Sequence, residues 1–267
     1  MHSKEIIYQN KRLHYKIGGS GNPVVLLHGF AEDHQIWKYQ FEALEKDFKI
    51  ILPDLPGSGL SEALDIENLS IEDLAKAIDA LVEAENIQQF ILIGHSMGGY
   101  ITLAYEHLYS KKTKAIGLFH STCSGDSEIK IQNRKKSIEF IKNNGSEAFL
   151  KTIIPDLYFK TSNEELLHIE SQLSIANNIS SSTLIQYYQS MICRPNHEQL
   201  VKKISKPVLF IGGSHDKLIP IEQTINESCL ADCSFITILK KSAHMGMIEE
   251  HHKTNETLNQ FIHFVNK

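Results

Sequence analysis

Ser96 lies in Gly94-His95-Ser96-Met97-Gly98-Gly99, directly after the apolar run Phe90-Ile91-Leu92-Ile93. A serine hydroxyl of ordinary acidity is a poor nucleophile and needs a base held rigidly beside it. A sharp turn from a strand into a helix can hold it there. Such a turn strains the serine backbone and presses the residues two before and two after it against neighbouring chain, and glycine at both places relieves the clash. Gly94 and Gly98 fill those places, and Tyr100–Leu108 spaces its apolar residues three and four apart, as a helix does. The pentapeptide alone could be a glycine-rich packing turn. Between a strand and a helix it marks Ser96 as a candidate nucleophile.

A base and an acid should complete the set. The chain has 14 histidines, so a lone one means little. His244 is singled out by its place in the loop between the apolar run Phe235–Leu239 and a helical pattern over Glu249–Phe264. There it could take the serine proton and return it to the leaving group. Asp216 follows Pro207-Val208-Leu209-Phe210-Ile211-Gly212 and could orient that imidazole, although a turn or helix-capping role fits an aspartate before Pro220 as well. His95 adjoins Ser96, but successive strand residues face opposite sides, which favours a structural role.

These residues act together only if a scaffold gathers them. To about residue 121 strands and helices alternate at βαβ spacing, which argues for a mostly parallel sheet. Arg12–Ile17, Pro23–Leu27, Lys49–Leu52, Phe90–Ile93 and Lys114–Phe119 read as strands. Ile71–Ala84 reads as an amphipathic helix with Ser70 as N-cap and Asp73 three residues on. Between Thr122 and about Lys203 the strand rhythm stops, and Ile129–Asn143, Glu147–Ile154, Glu164–Ile175 and Ser182–Met191 carry helical periodicity. Strands resume at Pro207. The expected organisation is a core of residues 1–121 and 204–267, with a helical insertion, 122–203, that covers the site or decorates the sheet edge.

In this order the segments L-L-H-G-F, D-L-P-G-S-G-L-S, G-H-S-M-G-G, P-V-L-F-I-G-G-S-H-D and S-A-H-M-G-M-I-E make the chain resemble the α/β-hydrolase superfamily over nearly its whole length. The resemblance implies an α/β fold with a mostly parallel eight-stranded sheet flanked by helices and a helical cap inserted after the sixth strand. It implies a Ser96–Asp216–His244 triad and an oxyanion hole built from the backbone amides of Met97, the residue after the nucleophile, and Phe30, in the loop after His28-Gly29. His28 would shape that loop. In some members the acid follows the sixth strand, where Asp126 lies, but G-G-S-H-D-K-L-I-P matches the commoner arrangement and favours Asp216. Asp54 resembles a structural loop position. Trp37, Cys123, Leu218 and Met245 adjoin catalytic loops and Tyr187 lies in the cap, so these are expected to touch substrate. Phe140, Phe149, Tyr158, Phe159, Tyr188 and Met191 are further cap candidates, for each of which packing within the cap is as good an account.

The activity implied is a cofactor-free, metal-free serine hydrolase acting on a small ester or thioester through an acyl-enzyme. Carbon–carbon bond hydrolases and lyases share the scaffold and hold a substrate carboxylate in a polar pocket, for which Arg134 and Arg194 are possible donors. Perhydrolases and receptor-type binding modules also share it. Haloalkane dehalogenases and epoxide hydrolases need a carboxylate at the elbow, and Ser96 stands there instead.

Composition narrows the partners. With 27 Lys and Arg against 32 Asp and Glu the net charge is −5, and no basic cluster exceeds a few residues, so nucleic acid is not an expected partner. Met1–Tyr8 lacks the apolar stretch of a signal peptide and no run reaches membrane-helix length, so a cytoplasmic protein without a membrane partner is expected. Cys123, Cys193, Cys229 and Cys233 read as reduced thiols, because no second Cys/His pair stands near Cys229 and Cys233 at zinc spacing. Gly57-Ser58-Gly59 lacks the surroundings of a phosphate loop.

Overall fold

The apolar runs pair into one sheet in a computed structural model that describes residues 1–159 and 163–267, with backbone alone at 163 and 164. Its strands are β1 (His2–Tyr8), β2 (Lys11–Gly18), β3 (Pro23–Leu27), β4 (Lys49–Pro53), β5 (Phe90–His95), β6 (Thr113–Phe119), β7 (Val208–Gly213) and β8 (Ser234–Leu239). Their order across the sheet is β1-β2-β4-β3-β5-β6-β7-β8. β1 pairs with β2, and β2 with β4, antiparallel, and every other pair is parallel. Central strands are covered on both faces, so β5 and β7 are buried at every position and appear in the sequence as unbroken apolar runs.

β1 was not among the expected strands. Its residues are mostly exposed, so it lacks the apolar run that marks the others. It is joined to β2 through Gln9 and Asn10, whose φ values of 49° and 61° suit a two-residue hairpin turn.

The strand order reverses beside β3: the chain goes from β3 to β4 on one side, then returns to place β5 on the other. Strand ends at such a reversal diverge and leave a crevice, the usual ligand position in open α/β sheets. The loop after β3 carries His28-Gly29-Phe30 and the turn after β5 carries Ser96, so both open there.

Around the sheet lie α1 (Lys38–Leu44), α2 (Ile71–Ala84) and α3 (Met97–Tyr109). The cap of α2 is as expected: Ser70 Oγ accepts from the Asp73 amide at 3.1 Å, and Asp73 accepts from the Ser70 amide at 3.2 Å. Between β6 and β7 come α4 (Glu128–Ile153), α5 (Asn163–Ala176), α6 (Ser181–Cys193) and the short α7 (Glu198–Val201). The two helices expected over Ile129–Asn143 and Glu147–Ile154 form one element interrupted at Gly145, whose φ of 84° breaks the helical path. After β7 follow α8 (Ile221–Ser228), α9 (Gly246–Glu249) and α10 (His251–Val265).

A continuous apolar cluster joins Val24–Leu27 and Ile91–Ile93 in the sheet to Phe149, Leu150 and Ile154 at the end of α4 and Leu184, Tyr187 and Met191 of α6. The inserted helices are thus held to the sheet by shared apolar burial. Among the described residues no helix is long and apolar enough to cross a membrane.

Candidate active site

Ser96 sits between β5 and α3 at φ 50° and ψ −114°, a conformation that costs a non-glycine residue on the order of 1–3 kcal/mol. The surroundings hold it there: its amide donates to Phe119 O at 2.9 Å, and Ser121 Oγ donates to its carbonyl at 2.7 Å. The flanking glycines have the reason expected of them. A Cβ on Gly94 would lie 2.1 Å from the Gly98 carbonyl group, and one on Gly98 would lie 2.6 Å from His28 O. Gly94→Ala is therefore expected to lower stability by about 3 kcal/mol or more, because backbone, not a movable side chain, blocks the methyl. Thermal or urea unfolding checks this, and an unchanged midpoint would show that the turn can relax.

His244 and Asp216 meet beyond the ends of β8 and β7. His244 Nδ1 donates to Asp216 Oδ2 at 2.8 Å, and both side chains are buried. Asp216 Oδ1 accepts the amides of Leu218 and Ile219 at 2.8 and 3.0 Å. Burial alone would raise the Asp216 carboxyl, but the facing imidazoles overcome it and hold the group well below the usual carboxylate range. For His244 burial opposes charge, yet the charge of Asp216 and its hydrogen bond prevail, and the imidazole stands above its ordinary value.

The backbone around His244 is tied to the neighbouring loops. Its amide donates to Leu157 O at 2.9 Å, from the stretch between α4 and α5. Both ring nitrogens of the buried His95 are engaged elsewhere than at Ser96, Nε2 2.9 Å from the His244 carbonyl and Nδ1 2.9 Å from Glu32 Oε2. Glu32 in turn accepts the Gly29 amide, so His95 links the loop after β3 to the loop that carries His244. His28 is buried and fixes its own loop, donating from Nδ1 to Gly29 O and accepting the Leu55 amide at Nε2, both at 2.9 Å.

Asp126, the competing acid, lies elsewhere. It is buried against Arg134, 2.5 Å from Nε, and Arg194, 2.8 Å from Nη1. Asp54 takes the Nδ1 atoms of His14 and His34 at 2.8 and 2.7 Å. That trio, and His120 with Asp216 and His244, are the groups among the described residues with metal-capable atoms close together. In both, the imidazole nitrogens stand at hydrogen-bonding distance from a carboxylate.

Ser96 and His244 open into one cavity of about 370 Å³. Phe30, Ala31 and Glu32 line it from the loop after β3, Lys130, Arg134 and Ser137 from α4, and Tyr188 and Met191 from α6. Phe30 stacks on Tyr188 with ring centres 4.4 Å apart. Met97 is the first residue of α3, where an amide has no acceptor within its own helix.

Of the side chains expected to touch substrate, Leu218 lines this cavity and four others do not. Trp37 is fully buried, edge-on to Phe119 at 5.4 Å, because the 3-10 turn His34–Trp37 points the indole into the core. Tyr187 is buried with its hydroxyl donating to Pro56 O at 2.7 Å, so α6 offers Tyr188 to the cavity instead. Cys123 borders a small separate void beside Arg194 and His197, and Met245 is wholly buried in the core. Phe140, Phe149, Tyr158 and Phe159 are likewise absent from the cavity wall. Arg134 lines it and Arg194 does not. Tyr100, Lys130 and Ile154 on the wall carry no signal in the local sequence, and His120, whose Nδ1 lies 3.0 Å from Asp216 Oδ2, is a further residue of the site. The signal for His120 was its place, directly after the sixth strand.

The family model of the alpha/beta hydrolase fold matches residues 22–251. A pyrrolizixenacetamide deacetylase of Xenorhabdus hominickii is 27% identical over 216 residues, which span 78% of this chain and 79% of that one. A 2-hydroxy-6-oxo-2,4-heptadienoate hydrolase of Pseudomonas putida is 21% identical over 267 residues, spanning 91% and 90%. Among solved structures, a thermophilic esterase from Thermogutta terrifontis superposes with a TM-score of 0.89 over 100% of both chains at 24% identity, a likeness of fold.

Proposed function

We infer, since this chain belongs to the alpha/beta hydrolase family, that it is a serine hydrolase cleaving a small ester or thioester through an acyl-enzyme. His244 Nε2 takes the proton of Ser96 Oγ as that oxygen attacks the carbonyl carbon. The backbone amides of Met97 and Phe30 receive the developing oxyanion, and His244 returns the proton to the departing alcohol or thiol. Water, deprotonated by the same imidazole, then releases the acid and restores Ser96. Asp216 keeps the proton on Nδ1, so that Nε2 is the basic nitrogen. The helices between β6 and β7 act as a cap, residues 122–203, over a core of 1–121 and 204–267.

The observation that carries this reading is that the strained Ser96 and the Asp216-bound His244 open into the same cavity. A volume of about 370 Å³ lies near the small end for ligand pockets, so short and medium acyl chains should be turned over faster than long ones. The test is incubation with a chromogenic short-chain ester and with a fluorophosphonate. Continuous turnover and a single covalent adduct mapped to Ser96 are expected, and a folded protein that does neither with any ester or thioester would overturn the reading.

The cavity wall favours one alternative. Lys130 and Lys217 line it, as does Arg134, which Asp126 already pairs; beside Glu32 and Asp156 these are the cations that a substrate carboxylate could meet, and the Pseudomonas putida relative is named a hydrolase of a heptadienoate. Cleavage of a carboxylated carbon–carbon substrate with no ester turnover would favour this second reading.

The pH dependence follows from His244. The base works only when unprotonated, and its raised value places the fall of kcat/KM on the acid side above the ordinary imidazole value of 6.5. A pH–rate profile with a non-ionising ester measures it. Full activity persisting well below 6.5 would contradict the assignment.

A further inference from the structure

We propose that His120 is a second imidazole partner of Asp216, a positioning residue that anchors the carboxylate and moderates its hold on His244. The proposal rests on the reading of His244 as base and Asp216 as its orienting acid.

His120 follows β6 at φ 46°, a conformation uncommon for a bulky residue, with its amide donating to Ile211 O of β7 at 2.7 Å. This bend aims the ring beneath the loops that carry Asp216 and His244. The ring is wholly buried, and its Nδ1 lies 3.0 Å from Asp216 Oδ2, the same oxygen that His244 Nδ1 reaches at 2.8 Å. With the Leu218 and Ile219 amides on Oδ1, the carboxylate accepts from four N–H donors and its lone-pair directions are filled.

An ionised carboxylate only accepts, so the proton of His120 must be on Nδ1. Its Nε2 is buried without a hydrogen-bond partner among the described residues. Backbone closes in on that side: a Cβ on Gly246 would lie 2.4 Å from Nε2, and one on Gly213 would lie 2.9 Å from Cε1. A proton on Nε2 would bury both an unpaired donor and a charge, so the ring stays a neutral Nδ1–H tautomer. Its value is pushed down to about 4, mainly by burial, in keeping with this.

A buried ring with an orphaned nitrogen is a costly way to fill space. Its return is at Asp216. Two imidazoles share Oδ2, so the carboxylate is held against rotation and its negative charge is divided between them. His244 is consequently raised less than it would be by an unshared aspartate. Other groups facing His244 are His95 at the end of β5, with ring centres 4.9 Å apart, Glu32 from the loop after β3, and Glu249 of α9. From the cavity side come Lys130 and Arg134 of α4, Asp156 between α4 and α5, and Lys217 beside Asp216. None of these depends on the His120 donor.

The test compares His120→Phe, which keeps a ring and loses the donor, with His120→Asn, whose amide nitrogen can stand where Nδ1 stands. In His120→Phe the acid limb of kcat/KM should move to higher pH by roughly half a unit or more, with kcat lowered. In His120→Asn the limb should return toward the wild-type position. The same titration of His244 is to be followed by NMR of nitrogen-15-labelled histidine, which needs no turnover. It separates failure of the hydrolase reading from failure of this one. If His120→Phe does not fold, wild-type spectra still decide: an unprotonated Nε2 and a hydrogen-bonded Nδ1–H at His120 across neutral pH are expected. A cationic His120, an Nε2–H tautomer, or an unmoved His244 value in folded His120→Phe would each overturn the proposal.

Discussion

Ser96→Ala is expected to lower turnover of an activated ester by about a million-fold and to abolish the fluorophosphonate adduct. The substitution removes one oxygen and leaves the Cβ, the turn and its backbone hydrogen bonds in place. Any activity left would come from the amides of Met97 and Phe30 proposed to hold the oxyanion, and from substrate binding, acting on water. Stability should barely change, because alanine carries the same backbone strain at φ 50°. Ser96→Gly makes the complementary point: it should be equally inactive yet about 1 kcal/mol more stable, since glycine adopts this conformation without the side-chain penalty. Kinetics, intact-mass spectrometry and thermal unfolding of both variants check the pair. A covalent adduct or wild-type turnover surviving in Ser96→Ala would remove Ser96 from the mechanism.

Asp216→Asn should reduce kcat by about ten-thousand-fold. Among the described residues, the hydrogen bonds to this side chain come from N–H donors, Leu218 and Ile219 on one oxygen and two imidazoles on the other. An amide must turn its own NH2 toward one pair, so donors face donors on one side whichever way it flips. If the NH2 faces His244, the imidazole takes the wrong tautomer. If it faces the loop, the Asp216 turn is weakened, at about 1–3 kcal/mol. Asp126→Asn supplies the contrast. It leaves His244 untouched but strips the counter-charge from Arg134 and Arg194, so about 3 kcal/mol of stability should be lost while the ester pH profile keeps its shape. A large fall in kcat from Asp126→Asn with little from Asp216→Asn would exchange their roles.

The candidate site was legible to very different depths. Ser96 was visible because its constraint is local: a strand, a turn with glycines two residues either side, and a helix within a short stretch. β5 and β7 were visible because burial on both faces demands unbroken apolar runs. β1 was not, since an exposed edge strand imposes no such pattern. Pocket residues were the least legible. Tyr187 and Tyr188 are adjacent aromatics on α6, and nothing local says that the first anchors to Pro56 away from the cavity while the second stacks on Phe30 at its wall.

The elbow at Ser96, the chain order of serine, aspartate and histidine, the alternation that builds a parallel sheet and the helical insertion before β7 are all written locally in the chain. All of these follow from periodicity, from glycine's freedom, or from residues close together in the chain. Tertiary structure decided which carboxylate meets His244, which face of α6 is offered to the cavity, and that Asp216 is shared with His120, 96 residues earlier. The physical reason is that hydrogen-bond partnership depends on direction and distance between elements. Those are set by sheet order and by the packing of remote helices, and Asp126 and Asp216 differ in neighbourhood only once β6 and β7 lie side by side.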